Sequence, residues 1–395
     1  MKYMIILASG AADDPIRELD GKTVLDAAHT PALDALAVEG KTGLVATQPE
    51  DLPMAEETAL LAALGYDPGK YFTGEAGLAA AAFDARVGPN RIALRHNLAT
   101  EADGVLADHA AGQVSLREAE ALIAALQGTI DRPDVTFHAG RGFSGVTIAP
   151  SVRDGVPVCV SIADGIGRRT EEILPSGEGA EILRRIINTS REILSEHDIN
   201  RVRADLGENP ATLFWPWGAG RPPVLPSFES RFKLKAVMVA AHESARGLGR
   251  LTGMEVPDVA EATGTYKTNY AAKAECALEM LNTFDLVVIH AASPADASLD
   301  ANAPLKRQLI EDIDAHVIRP ALELAARSGD VRILFLATRH LSTPARRPTR
   351  KSVPLAMFGP GIEAVRHARL SESAAAEGEL AIAQGHTLLE YFLRP

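Results

Sequence analysis

A chain of 395 residues is too long for one simple core, so two or three domains are expected. Hydrophobic residues make up 46% and charged residues 23%, and the net charge of −12 argues against nucleic acid or an anionic membrane surface as a partner. Two cysteines, Cys159 and Cys276, exclude a disulfide framework and a thiolate zinc cluster, and they fit a reducing cytoplasm.

The chain opens with MKYMIILASG. The apolar run Tyr3–Ala8 is too short for a signal segment or a membrane span. It reads instead as a buried strand, Met4–Ala8, that ends in a turn at Ser9-Gly10. A helix is expected over Pro31–Glu39, with Thr30 as N-cap and Pro31 at the first helical position. A second helix follows over Ala55–Leu64. Between residues 91 and 209 the elements shorten. Strands are expected at Ile92–Leu94, Val135–His138, Gly145–Ile148 and Val156–Ile162, with helices at Leu116–Leu126 and Gly179–Glu196. This stretch reads as an inserted α+β domain. The segment WPWGAGRPPVLPSF (Trp215–Phe228) has few free backbone torsions and reads as a packed connector at a domain boundary. Strands then recur at Ala236–Ala240, Asp285–His290 and Arg332–Ala337, alternating with helices Tyr270–Leu281 and Leu305–Arg327. Their near-continuous apolarity suits a parallel sheet buried on both faces, and the alternation predicts an α/β fold. The expected division is a core of 1–90 with 210–395, and an insert of 91–209.

Several segments carry a more specific signal. They are KYMIILASGAADDPI, GKTVLDAAHTPALDALAVEGKTGLVAT, LAALGYDPGKYFTGEAGLAAA, RHNLAT, INRVRADLGENPATLFWPWGAGRPPVLPSF, ATGTYKTNYAAKAECALE and FGPGI. In order and spacing the chain resembles the archaeal-type cofactor-independent phosphoglycerate mutase family of the alkaline phosphatase superfamily, over residues 1 to about 362. The resemblance implies an alkaline-phosphatase-like core with a mostly parallel sheet flanked by helices, plus the smaller inserted α+β domain. It also implies an isomerase reaction of glycolysis that moves a phosphoryl group between the 2- and 3-hydroxyls of glycerate. In that family a serine carries the phosphate, and two divalent metals such as manganese activate it.

Compared position by position, this chain departs from the family's centre. The aspartate after the first strand is Ser9 here. The Pro-x-Gly-Ser-Asp run falls on Ala55, Glu56 and Glu57, so Glu56 stands where the nucleophilic serine is expected. As residues of a helix's first turn, Glu56 and Glu57 also suit the macrodipole. In HAASPADASLDAN the ligand aspartate and histidine become Ala295 and Leu299, with Asp296 and Asp300 beside them. In ATRHLSTP the aspartate becomes Arg339 while His340 is kept, and the run RRPTRKS (Arg346–Ser352) holds no histidine. The family's Arg-His pair falls on Ser144 and Gly145, and its Pro-His-Asp run keeps Asp164. Arg141, Arg168 and Arg221 remain as candidates, with Asp164, for contact with an anionic substrate.

These departures predict no metal and no family catalysis at Ser9, Glu56, Glu57, Ala295, Leu299, Arg339 and His340. They predict that Glu56, or Glu57, faces Arg339 in place of the metals, a carboxylate–guanidinium pairing that can be bidentate, with Glu56–Arg339 the pair expected. The expected role is that of a cytoplasmic pseudoenzyme that binds a protein partner or a small phosphorylated or anionic ligand. The alternative is an active mutase or phosphotransferase with a rearranged or metal-free site.

Overall fold

Residues 1–83, 87–130, 132–151, 156–364, 369–378 and 380–394 are described by the computed structural model. The chain forms two compact units. One comprises Met1–Phe72 and Val224–Pro395, and the other Thr73–Pro223. The boundaries expected at 90/91 and 209/210 therefore fall inside the second unit. Helix Glu75–Ala80 is the reason: it packs on strands Arg91–Ala102 and Leu213–Gly220, and Gly74 bridges Gly220.

The first unit is built on a seven-stranded sheet. Its strand order is Leu380–Ile382, Lys41–Val45, Val353–Phe358, Val331–Ala337, Lys2–Ala8, Leu286–Ala291 and Ala236–Val239. The last four run parallel to one another, and Val353–Phe358 runs antiparallel to both its neighbours. Every residue of Leu286–Ala291, Val331–Ala337 and Ala236–Val239 is buried. Successive side chains on a strand point to opposite faces, so both faces of these strands are covered. Helices Tyr270–Met280 and Arg319–Ser328 are among those packed on them.

Two helical expectations change in detail. Thr30 holds the N-cap position of helix Pro31–Glu39, but its hydroxyl makes no cap bond. Asp314 caps instead, accepting from the backbone N–H groups of Ala32 at 3.2 Å and Leu33 at 2.6 Å. The stretch Leu305–Arg327, expected as one helix, is helical over Ala303–Ile313 and Arg319–Ser328 with a π-helical turn, Asp314–Ile318, between them. Pro320 accounts for the turn. It has no N–H to donate, and its ring needs the wider spacing that the π turn gives. The same turn carries Asp314, so one local distortion also supplies another helix with its cap.

The second unit is an antiparallel sheet centred on the long strand Arg91–Ala102. Ser144–Pro150 and Leu213–Gly220 both pair with it, Val105–Asp108 pairs near its end, and Thr136–Ala139 adds to Ser144–Pro150. Helices Leu116–Thr129 and Ala180–Glu196 bury Leu122, Leu126, Leu183 and Ile186 against Ile92, Leu94, Leu98 and Phe214. This is the α+β arrangement expected for the insert, with two corrections. The start of the expected connector is strand Leu213–Gly220, in which Trp215 is fully buried. Pro216 lies opposite His96 on this flanking strand, where a missing N–H is tolerated. The expected strand Val156–Ile162 does not form. Pro157 removes a donor, Val158 makes an isolated bridge to Ser176, and the Ser161 hydroxyl caps a short helix, Ile162–Gly165.

Among the described residues no helix is long and apolar enough to cross a membrane. Replacing Asp314 with alanine removes the cap of helix Pro31–Glu39. Denaturant unfolding of Asp314→Ala is expected to show a loss of about 1–2 kcal/mol with an unchanged slope.

Candidate functional site

Four parallel strands of the first unit deliver four side chains to one end of the sheet. Ser9 follows Lys2–Ala8 directly, and Arg339 lies two residues beyond Val331–Ala337. His290 is the penultimate residue of strand Leu286–Ala291, and His242 follows Ala236–Val239. The strands are in register, with Ala8 beside both Ala337 and Ala291, so these residues share one level. The carboxyl ends of parallel strands are where open α/β sheets place their sites. Glu56 enters from the start of helix Glu56–Ala63.

The Glu56 carboxylate is the hub. Oε2 accepts from the Ser9 hydroxyl at 2.5 Å and lies 2.7 Å from Arg339 Nε. Oε1 lies 2.9 Å from His290 Nε2. Glu56 and Arg339 are thus brought together, but not as the expected bidentate pair. The guanidinium approaches one oxygen through Nε, off the line of a hydrogen bond, because His290 holds the other oxygen. The His242 ring packs edge-on against His290 with centroids 5.7 Å apart. Burial by itself would raise the pKa of Glu56. The Arg339 charge, then the His290 hydrogen bond and charge, then His242 outweigh burial and hold it well below the usual carboxylate range.

A second contact runs alongside. Glu57 accepts from the Ser244 hydroxyl at 2.5 Å, and the Ser244 N–H donates to His242 Nδ1 at 3.2 Å. His242 is also the N-cap of helix Glu243–Leu251. Sequence reasoning missed His242 and Ser244, which belong to no family motif. The signal that finds them is position, immediately after a strand of the parallel set.

The remaining sequence candidates sit as follows. Ala295 packs on the turn at Gly10, where φ is +71° and an added Cβ would lie 2.8 Å from Ala295 Cα. Any side chain at residue 10 is excluded there. The Leu299 carbonyl accepts from Arg346 Nε at 2.6 Å. His340 engages Thr349 Oγ1 at 2.8 Å and approaches Asp14 at 3.7 Å, and burial lowers its pKa. In the second unit Arg141 stacks its guanidinium over Phe143 at 4.7 Å. Asp164 is exposed and accepts from the hydroxyl of Ser161. Arg168 is exposed. Arg221 donates to the carbonyls of Gly88 and Pro89 and to Ser151 Oγ, which ties down a loop. Ser144 is buried in its strand beside Asn97.

The depressed pKa of Glu56 gives a signed pH dependence. A carboxyl group lowered on folding adds stability that is complete above its ordinary value of 4.5 and is lost as pH falls towards the folded value. The stability difference between the native chain and Glu56→Gln should therefore be constant near neutrality and shrink below that pH. Arg339→Met leaves the buried carboxylate without its guanidinium. Its expected cost at pH 7 is about 2–4 kcal/mol, with part recovered in Glu56→Gln/Arg339→Met, measured by chemical denaturation.

A family model described as 2,3-bisphosphoglycerate-independent phosphoglycerate mutase matches residues 37–200. A protein of that name from Methanothrix thermoacetophila is 34% identical over 394 residues, covering 100% of both chains. One from Geobacter sulfurreducens, named as a probable 2,3-bisphosphoglycerate-independent phosphoglycerate mutase, is 36% identical over 400 residues, again covering 100% of both. Among solved structures, the PH0037 protein from Pyrococcus horikoshii matches with a TM-score of 0.75 and 26% identity, covering 99% of this chain and 96% of that one. The cofactor-independent phosphoglycerate mutase from Thermoplasma acidophilum matches with a TM-score of 0.55 and 25% identity, covering 100% and 99%. With full-length identity at this level and the same parallel-sheet core, the chain belongs to the 2,3-bisphosphoglycerate-independent phosphoglycerate mutase family.

Proposed function

We propose that this chain keeps the mutase fold without the two-metal, phosphoserine chemistry, and that it works by binding a partner protein or a small phosphorylated or anionic ligand. One observation carries the reading. The residue standing where the nucleophile is expected, Glu56, has both carboxylate oxygens engaged by Ser9, His290 and Arg339. A divalent cation needs carboxylate or imidazole lone pairs that are free to turn towards it. Here the carboxylate faces a permanent cation, and Ala295 offers no lone pair at all. The donor set does not fit a two-metal centre. Glu56 is also unsuited to act as a base, because a carboxylate held well below its ordinary pKa accepts a proton reluctantly at neutral pH.

A second reading has its own support in the relatives of 34% and 36% identity that carry the mutase name over their full length. Under it the chain interconverts 2- and 3-phosphoglycerate through a rearranged site. Two measurements separate the readings. Elemental analysis of the purified protein, after incubation with manganese and desalting, is expected to find no stoichiometric manganese or zinc. A coupled assay of 3- to 2-phosphoglycerate conversion is expected to stay at background. Family-like turnover there would reject the first reading in favour of the second.

A further inference from the structure

We propose that Glu56 is a built-in anion: its carboxylate fills a site in the first unit that is constructed to hold a small external oxyanion, and removing the carboxylate opens that site. The inference rests on the preceding reading of the centre as metal-free and says what the rebuilt centre recognises.

The groups around the carboxylate form an anion receptor by their chemistry. A guanidinium, an imidazole N–H and a hydroxyl converge on two oxygen atoms. These groups come from three different strand ends, whereas the anion comes from a helix elsewhere in the chain. The receptor and its occupant are therefore separate parts, and one can be removed without deleting the other. Two further features point the same way. His242, packed on His290, adds a second imidazole. The Arg339 side chain retains 15% of its exposure, so the receptor is reached by solvent at its cationic edge. The charge selects the ligand class. The Arg339 guanidinium favours phosphate, sulfate or a carboxylate, and its permanent charge repels metal ions.

The test is chemical rescue, with inorganic phosphate as the probe in metal-free buffer containing a chelator. Glu56→Ala is expected to melt below the native chain in phosphate-free buffer. Its melting temperature should climb and saturate as phosphate is added, as mass action on the folded state requires. The native chain should show no such rise, and Glu56→Ala/Arg339→Met should lose the response. Sulfate is expected to substitute for phosphate. Equal phosphate responses in the native chain and Glu56→Ala would overturn the proposal. So would a folded Glu56→Ala that does not respond, or a double variant that responds as well as the single one.

If Glu56→Ala does not fold even in phosphate, Glu56→Gln supplies the comparison. Because that side chain keeps the volume and leaves the site filled, Glu56→Ser is measured beside it: the proposal requires the phosphate response of Glu56→Ser, which vacates the site, to exceed that of both Glu56→Gln and the native chain. Failure of the metal-free reading registers separately, as manganese content or mutase turnover of the native chain.

Discussion

Lys306 is an amine with no access to water, and its contacts join two segments that flank the candidate site. Its side chain is 0% exposed, as is that of Asp13, 2.7 Å away. Nζ also reaches the carbonyls of Ala12 and Leu341, while Asp13 accepts from the Thr343 backbone N–H at 2.8 Å. A buried charge without its partner is strongly destabilising, so each member of the pair fixes the other. The consequence is geometric. Residues 12 and 13 belong to the loop that carries Ser9, and residues 341 and 343 belong to the loop that carries Arg339. Glu372 extends the network, accepting from the Asp13 N–H at 2.8 Å and from Thr23 at 2.6 Å. Loops leaving two neighbouring parallel strands are thus tied together behind the candidate site. The tie reinforces the strand register that brings Ser9 and Arg339 to one carboxylate.

The core strands were legible because they are buried on both faces. Near-continuous apolar runs such as Leu286–Ala291 have little else to be in an α/β chain. The second unit's central strand was legible only at its start, Ile92–Leu94. Arg91–Ala102 carries Arg95, His96 and Asn97 in its middle, and these are 3%, 1% and 2% exposed. Their polarity hides the rest of the strand from a hydropathy reading. Their burial is made tolerable by partners that lie far off in sequence: His96 Nδ1 meets Thr147 at 2.9 Å, and Asn97 accepts from the indole N–H of Trp217 at 2.8 Å. Leu213–Gly220 was masked by Pro216 and its glycines, which read locally as a connector and act tertiarily as a flanking strand. In each case long-range pairing overrides the local signal.

The candidate site was legible to a different degree for each residue. Ser9, Glu56 and Arg339 stood out because the resemblance gave each an expected identity that it violates. His242 and Ser244 violated nothing and so gave no signal. They became visible once the sheet order placed Ala236–Val239 beside Leu286–Ala291. The error in the expected pairing is also instructive. A carboxylate and a guanidinium in isolation favour the two-pronged geometry, but a buried carboxylate has two oxygens and several claimants. With His290 on Oε1, the guanidinium is left to one edge of Oε2, which Ser9 shares.

In the proposed reading of a self-filled rather than a metal-filled centre, electrostatics supplies the argument. Two unit charges 4 Å apart interact by about 4 kcal/mol at an effective dielectric of about 20, so a dication beside a guanidinium meets a repulsion of roughly 8 kcal/mol. A metal must recover that from its ligands, and the carboxylate nearest the guanidinium would have to release Ser9, His290 and Arg339 to bind it. In the cluster as it stands one carboxylate faces one guanidinium, with His290 Nε2 on its other oxygen. With Glu56 in place these donors are already taken, and an external anion finds room only when that carboxylate is removed. The charge arrangement therefore biases this centre towards anions.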